Sequence, residues 1–232
     1  MDKYVLIVAG GKGLRMGGDL PKQFIPMRGK PLLMHTLEAF HRWDASARII
    51  LVLPEDHQPY WNMLCKEIGC KVPHAMVKGG DTRFFSVKNG LDWLLAERRR
   101  KGEEDSGLSL VAVHDGVRPF VSPEVVEACF DKAAVTGAVI PVVPMIDSLR
   151  ETDEKGSHPV DRSRYMAVQT PQVFLLELLT KAYEQPYSSL FTDDASVVEA
   201  MGHAIDTVPG DRENIKITTP FDLLIAEAMF AR

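Results

Sequence analysis

At 232 residues, 45% of them hydrophobic, the chain can bury one large α/β core. A formal net charge of −5 argues against a general nucleic-acid coat or a membrane-surface binder, so anionic ligands must be met by local clusters of Lys and Arg. Cys65, Cys70 and Cys129 are odd in number and lack Cys-x-x-Cys spacing, which speaks against a disulfide framework and against a thiolate metal site.

Chain order gives the fold class. A first apolar run, 4–9, has the length of a strand and is too short for a signal peptide. Further strands are expected at 48–53, 71–77, 108–114 and 138–144. Helices are expected between them at 31–43, 60–68, 82–97 and 123–134. In the third helix Val87, Leu91, Leu94 and Leu95 recur at helical spacing. Apolar strands separated by helices imply a doubly wound, mostly parallel sheet covered on both faces. The stretch 97–107, basic and then acidic, reads as a solvated connector.

From 145 to 170 the rhythm changes to a polar segment without helical period. So long an irregular stretch inside a compact domain points to a functional arm. Helices are then expected at 175–183, 193–201 and 220–230, with short strands at 203–208 and 214–217. The whole reads as a single domain, 1–232, with an inserted arm. No apolar run is long enough for a bilayer, and a cytoplasmic protein is expected.

The chemistry begins after the first strand, in Ala9-Gly10-Gly11-Lys12-Gly13-Leu14-Arg15-Met16-Gly17-Gly18, followed by Pro21-Lys22-Gln23-Phe24. Closely spaced glycines let the backbone turn several N–H groups onto one anion. Lys12, Arg15 and Lys22 concentrate positive charge there on an acidic protein. No Walker string is present, and Met16 stands where a dinucleotide fingerprint needs Gly or Ala. A phosphate-binding loop is the expectation.

In this order after a first strand, the glycine loop, Arg15-Met16-Gly17 and Pro21-Lys22-Gln23 resemble the sugar-phosphate nucleotidyltransferases. Later motifs narrow the match: Gly79-Gly80-Asp81-x-Arg83-x-x-Ser86-Val87, His114-Asp115-Gly116-Val117-Arg118-Pro119-Phe120, Gln169-Thr170-Pro171-Gln172, Thr192-Asp193-Asp194-Ala195-Ser196 and Asn214-Ile215-Lys216-Ile217-Thr218. Together they resemble the 2-C-methyl-D-erythritol 4-phosphate cytidylyltransferase family over almost the whole chain. Ribitol-5-phosphate cytidylyltransferases share most of these motifs, and Asp161-Arg162 favours the methylerythritol branch. Gly10, Gly116 and Val117 depart toward residues less usual there, and Gly116 in place of alanine is expected to loosen the fit around the nucleotide.

The resemblance implies a Rossmann-like nucleotidyltransferase fold with an extended, inserted β-arm that builds a homodimer, and transfer of CMP from CTP to methylerythritol 4-phosphate with release of pyrophosphate. It implies that Arg15 and Lys22 stabilise the transition state, and that Arg162, from the partner's arm, and Lys216 grip the acceptor phosphate. Ala9, Gly10, Gly11, Gly13, Gly80, Asp81, Arg83, Ser86 and Gly116 are expected around the nucleotide. Asp115, Ser148 and Thr170 are expected near the acceptor. Asp115 is also the expected protein contact to Mg²⁺ or another divalent cation, whose other ligands come mainly from CTP phosphates and water. Asp81 has a plainer alternative as the cap of the following helix, and His114 is expected to be structural. The same chemistry on ribitol 5-phosphate, and a nucleotide-binding module without turnover, stay open as alternatives.

Overall fold

The computed structural model describes residues 1–10, 20–103, 107–154 and 156–231. Its centre is a mixed eight-stranded sheet. The strands are β1 (Asp2–Val8), β4 (Arg48–Leu53), β5 (His74–Lys78), β6 (Ser109–Asp115), β7 (Ala138–Pro144), β10 (Met166–Val168), β11 (Gln172–Leu175) and β12 (Asp206–Pro209). The order runs β10-β7-β11-β6-β1-β4-β5, with β12 parallel to β7. Only β10 and β11 run against the rest. Two small ladders stand apart: β2 (Pro26–Met27) with β3 (Lys30–Pro31), and β8 (Arg150–Asp153) with β9 (Gly156–Pro159).

Side chains of β1 show why the sheet needs cover on both faces. Val5 and Ile7 enter a core with α1 (Leu32–Trp43), α2 (Gln58–Ile68) and α4 (Pro123–Thr136). Tyr4 and Leu6 enter a second core with α3 (Arg83–Lys101), α5 (Leu176–Ala182) and α6 (Asp194–Glu199). Strand alternation therefore feeds two cores from one apolar run. The last helix, α7 (Pro220–Phe230), closes a smaller cluster around Met27, Leu32 and Ile217.

Three expectations need correction. Residues 214–217 form no strand: their backbone is held singly, Ile217 N–H donating to Val117 O at 3.0 Å. The arm is not irregular throughout, since it holds the β8–β9 hairpin, a 3-10 turn at Arg162–Arg164 and β10. Every residue of β8 and β9 is exposed, so no buried face left a hydrophobic period to read. Finally, β11 went unforeseen because four residues are too few to show alternation.

Candidate active site

The carboxyl ends of β1, β5 and β6 meet around a cleft of about 240 Å³. Ligands collect at such strand ends in open α/β sheets because the loops diverge there. Ala9, Gly10, Lys22, Gly80, Asp81, Arg83, Ser86, Asp115 and Lys216 all line it. Gln23, Thr82 and Val117, to which the sequence assigned no role, line it too. Gly11, Gly13 and Arg15 lie outside the described residues.

Lys22 opens a 3-10 turn, Lys22–Phe24, beside the first strand. Buried Gln23 ties that turn down by donating its Nε2 to Ala9 O at 2.9 Å, and the same nitrogen lies 3.3 Å from His57 Nδ1. Phe24 locks the other side, edge-on to Tyr60 and stacked near Trp61 of α2. The lysine thus rises from a backbone anchored at both flanks.

Asp115 ends β6, and its carboxylate Oδ2 holds Lys216 Nζ at 3.1 Å and Arg118 Nε at 3.1 Å. Burial works against its charge. The cations Lys216, Arg83 and Arg118 outweigh that and hold the carboxyl well below the usual carboxylate range. Arg118 also donates to Asn214 O at 2.7 Å, which brings the 214–217 segment to the cleft wall. Asp115 therefore both closes a turn with Arg118 and faces the cleft.

Thr170 does not line the cleft. Its Oγ1 accepts the Asp115 N–H at 3.1 Å, and its carbonyl accepts Asn214 Nδ2 at 2.8 Å. The Thr170 hydroxyl lies 3.1 Å from His114 Nδ1, and His114 Nε2 lies 3.1 Å from Arg118 O. A carbonyl can only accept, so the proton belongs on Nε2 and the hydroxyl donates to Nδ1, which makes a neutral imidazole. Burial agrees, pushing His114 down to about 4. His114 is structural, as expected.

The residues expected around the nucleotide at 80–86 sit where β5 turns into α3. Thr82, not Asp81, is the N-cap, accepting from Phe85 N–H, so Asp81 is left on the exposed rim. Ser86 Oγ accepts the Gly80 N–H at 3.1 Å and contacts Thr82 O at 2.9 Å, fastening the turn to the helix. A Cβ on Gly80 would lie 2.4 Å from Phe85 Cβ, so only glycine lets the turn pass. Arg83 is gripped through both terminal nitrogens by Asp194, at 2.8 and 2.5 Å, and Tyr183 donates to the same carboxylate at 2.6 Å. It borders the cleft as part of this buried pair.

Gly116 stands just outside the cleft lining. A Cβ there would meet Ala9 Cβ at 2.8 Å and Leu33 Cδ1 at 3.0 Å. The missing methyl leaves no slack, because Ala9 and Leu33 already fill the space. That corrects the expectation of a looser nucleotide fit.

Ser148 and Arg162 are not brought to the cleft of their own chain. Both are exposed on the arm, and Arg162 donates to Ile146 O. Among the described residues no group of three or more His, Cys, Asp or Glu is placed to hold a metal. The cleft's buried carboxylate, Asp115, is already paired with two cations, so a divalent cation there would have to take most of its ligands from substrate phosphates and water. No helix among the described residues is long and apolar enough to cross a membrane.

Residues 4–232 match the 2-C-methyl-D-erythritol 4-phosphate cytidylyltransferase family. An enzyme of that name from Bacteroides fragilis is 55% identical over 229 residues, 99% of this chain and 100% of its own. One from Bacillus licheniformis is 40% identical, covering 99% of this chain and 96% of its own. The crystal structure of the Thermus thermophilus enzyme of that name is similar at a TM-score of 0.74, with 32% identity and full coverage of both chains. That of 4-diphosphocytidyl-2C-methyl-D-erythritol synthase from Anaerococcus prevotii reaches 0.79 at 28% identity, over 100% and 96% of the two chains.

Proposed function

Because the chain belongs to the 2-C-methyl-D-erythritol 4-phosphate cytidylyltransferase family, we propose that its cleft holds CTP against the acceptor phosphate for direct, in-line transfer. The chain is a CTP-dependent cytidylyltransferase that moves CMP to methylerythritol 4-phosphate and releases pyrophosphate. The observation that carries the reading of the site is the pairing of Lys22 and Lys216 in one cleft with the Gly80–Ser86 turn.

The acceptor phosphate oxygen attacks the α-phosphorus of CTP. A phosphate monoester is already largely dianionic near neutral pH, so the reaction needs alignment and charge cancellation more than a general base. Lys22, with Arg15, neutralises charge developing on the α-phosphate. Lys216, held in place by Asp115, meets the acceptor phosphate. Asp115 keeps that cation oriented and accepts from an acceptor hydroxyl. Backbone and side chains of Gly80, Asp81 and Ser86 receive cytosine and ribose, with Arg83 bracing the turn through Asp194. A divalent cation would add charge neutralisation on the triphosphate, with Asp115 the residue that would hold it.

Arg162 reaches the acceptor from a partner subunit. Strands β8 and β9 are exposed on every residue, and an isolated hairpin is marginal in water. Ile146, Tyr165, Met166 and Val168 beside it expose apolar surface. A second copy of the chain would bury that surface and carry Ser148 and Arg162 to the neighbouring cleft. A cytoplasmic location suits this reading, since both substrates are soluble anions.

Pyrophosphate release with CTP, Mg²⁺ and methylerythritol 4-phosphate tests the assignment, with ribitol 5-phosphate in parallel. Turnover is expected with methylerythritol 4-phosphate and little with ribitol 5-phosphate. Equal or greater activity on ribitol 5-phosphate would overturn the acceptor assignment.

A further inference from the structure

Two of the three cysteines meet at the end of α2. The helix closes with Gly69 in the left-handed conformation at φ 74°, and Cys70 N–H reaches back to Cys65 O at 2.9 Å. That six-to-one bond defines a Schellman motif, in which the side chains three before and two after the helix end touch. The contact is ordinarily apolar. Here those positions are Cys65 and Cys70, both packed against the core under α2. Both are half-buried, whereas Cys129 is buried.

We propose that Cys65 and Cys70 form a thiol–disulfide switch, closed by hydrogen peroxide, that acts through α2 on the Lys22 turn. The chemistry balances as a two-electron oxidation. Cys70 thiolate attacks the peroxide oxygen, the O–O bond breaks, and the sulfur becomes a sulfenic acid as the other oxygen leaves as water. Cys65, deprotonated, then attacks that sulfur, forming the S–S bond and expelling a second water. Cys70 is suited to lead. The Cys65 thiol and the Val72 N–H stabilise its thiolate against the cost of burial, while Cys65 is pushed up by giving its hydrogen bond.

The route to the cleft is a continuous contact. Cys65 lies one helical turn beyond Trp61 on the same face of α2. Trp61 and Tyr60 pack on Phe24, in the same 3-10 turn as Lys22, and Gln23 of that turn touches His57 just before α2. Drawing the sulfurs to about 2 Å displaces the end of α2, and the aromatic contacts pass the shift to Lys22. Displacement of a catalytic cation by even part of an ångström is expensive for turnover.

The inference of a switch on activity rests on the transferase reading; the disulfide itself does not. The test treats the full-length protein with hydrogen peroxide and follows mass and pyrophosphate release together. Expected is a loss of about 2 Da, restored by dithiothreitol, with the tryptic peptides ending at Lys66 and Lys71 cross-linked. Turnover should fall roughly ten-fold and recover on reduction, while Cys65→Ser and Cys70→Ser proteins show neither change. Oxygen additions at single cysteines without a cross-link would overturn the proposal, and so would a cross-link that leaves turnover unchanged. Turnover of the reduced protein in the same assay reports separately on the transferase reading.

Discussion

The cleft and the arm carry charged residues of the same kinds, yet they are built on opposite terms. Around the cleft each functional group is tethered from within the chain: Asp115 by Thr170, Lys216 by Asp115, Ser86 by the Gly80 turn. On the arm Arg162 and Ser148 stand exposed, and strands β8 and β9 between them bury no residue. A site can be preorganised only where low dielectric and packing hold its charges. The contrast teaches that folding alone orders the cleft, whereas the arm residues join a site only through the proposed association of two chains.

Four experiments probe that contrast. The largest effect is expected from Lys22→Ala, which should lower kcat by about 10³-fold with an unchanged circular dichroism spectrum, since the lysine works on developing charge. A rise confined to KM for CTP would remove its catalytic role.

Next is the pH dependence of the tethered half. His114 is held neutral by burial, down to about 4 from an ordinary 6.5. The unfolded chain therefore takes up this proton first, and stability falls as pH drops from about 6.5 toward 4, then levels for this group. The loss is on the order of 3 kcal/mol. Urea unfolding across this range should show the slope, and His114→Gln should flatten it. Asp115 behaves in the opposite sense. Its stabilising contribution is complete above the ordinary carboxylate pKa and disappears only in stronger acid, because its folded pKa lies well below that value.

Arg162→Ala should leave the unfolding midpoint unmoved and lower kcat/KM for the acceptor by roughly 10- to 100-fold, as the loss of one charge-assisted contact predicts. Mixing it with Lys22→Ala protein should restore part of the activity, because one cleft of each mixed dimer would then draw both intact residues from different chains. No recovery despite verified subunit exchange would place Arg162 outside the neighbouring site.

The smallest effect is at Gly116. Gly116→Ala should cost about 1–2 kcal/mol through overpacking on Ala9 and Leu33, measured by thermal unfolding, and a second change, Ala9→Gly, should recover part of it.

Much of this was legible in the sequence for identifiable reasons. Long apolar strands such as 48–53 and 138–144 were found at their observed bounds because burial on both faces leaves nothing polar to blur them. The cleft lysines were legible through motif order, since short phosphate-binding loops keep their chemistry in consecutive residues. Thr170 was named as an acceptor residue, but its work is one step removed, as a backbone clamp on Asp115. Gln23 was part of a quoted motif without a role, because a buried amide reads as any polar residue until its partner Ala9 O is seen. Asp194 was equally silent: a carboxylate 111 positions from Arg83 leaves no local period.

By itself, then, the sequence determined the layered α/β class, the family and the order of chemical motifs, all of which depend on neighbours in the chain. Tertiary structure alone decided which charges pair, that Gly116 fills a tight contact, that Thr82 rather than Asp81 caps α3, and that two cysteines touch across a helix end. Those facts depend on distances between residues that the backbone brings together only after the sheet has formed, and a one-dimensional pattern carries no record of such distances.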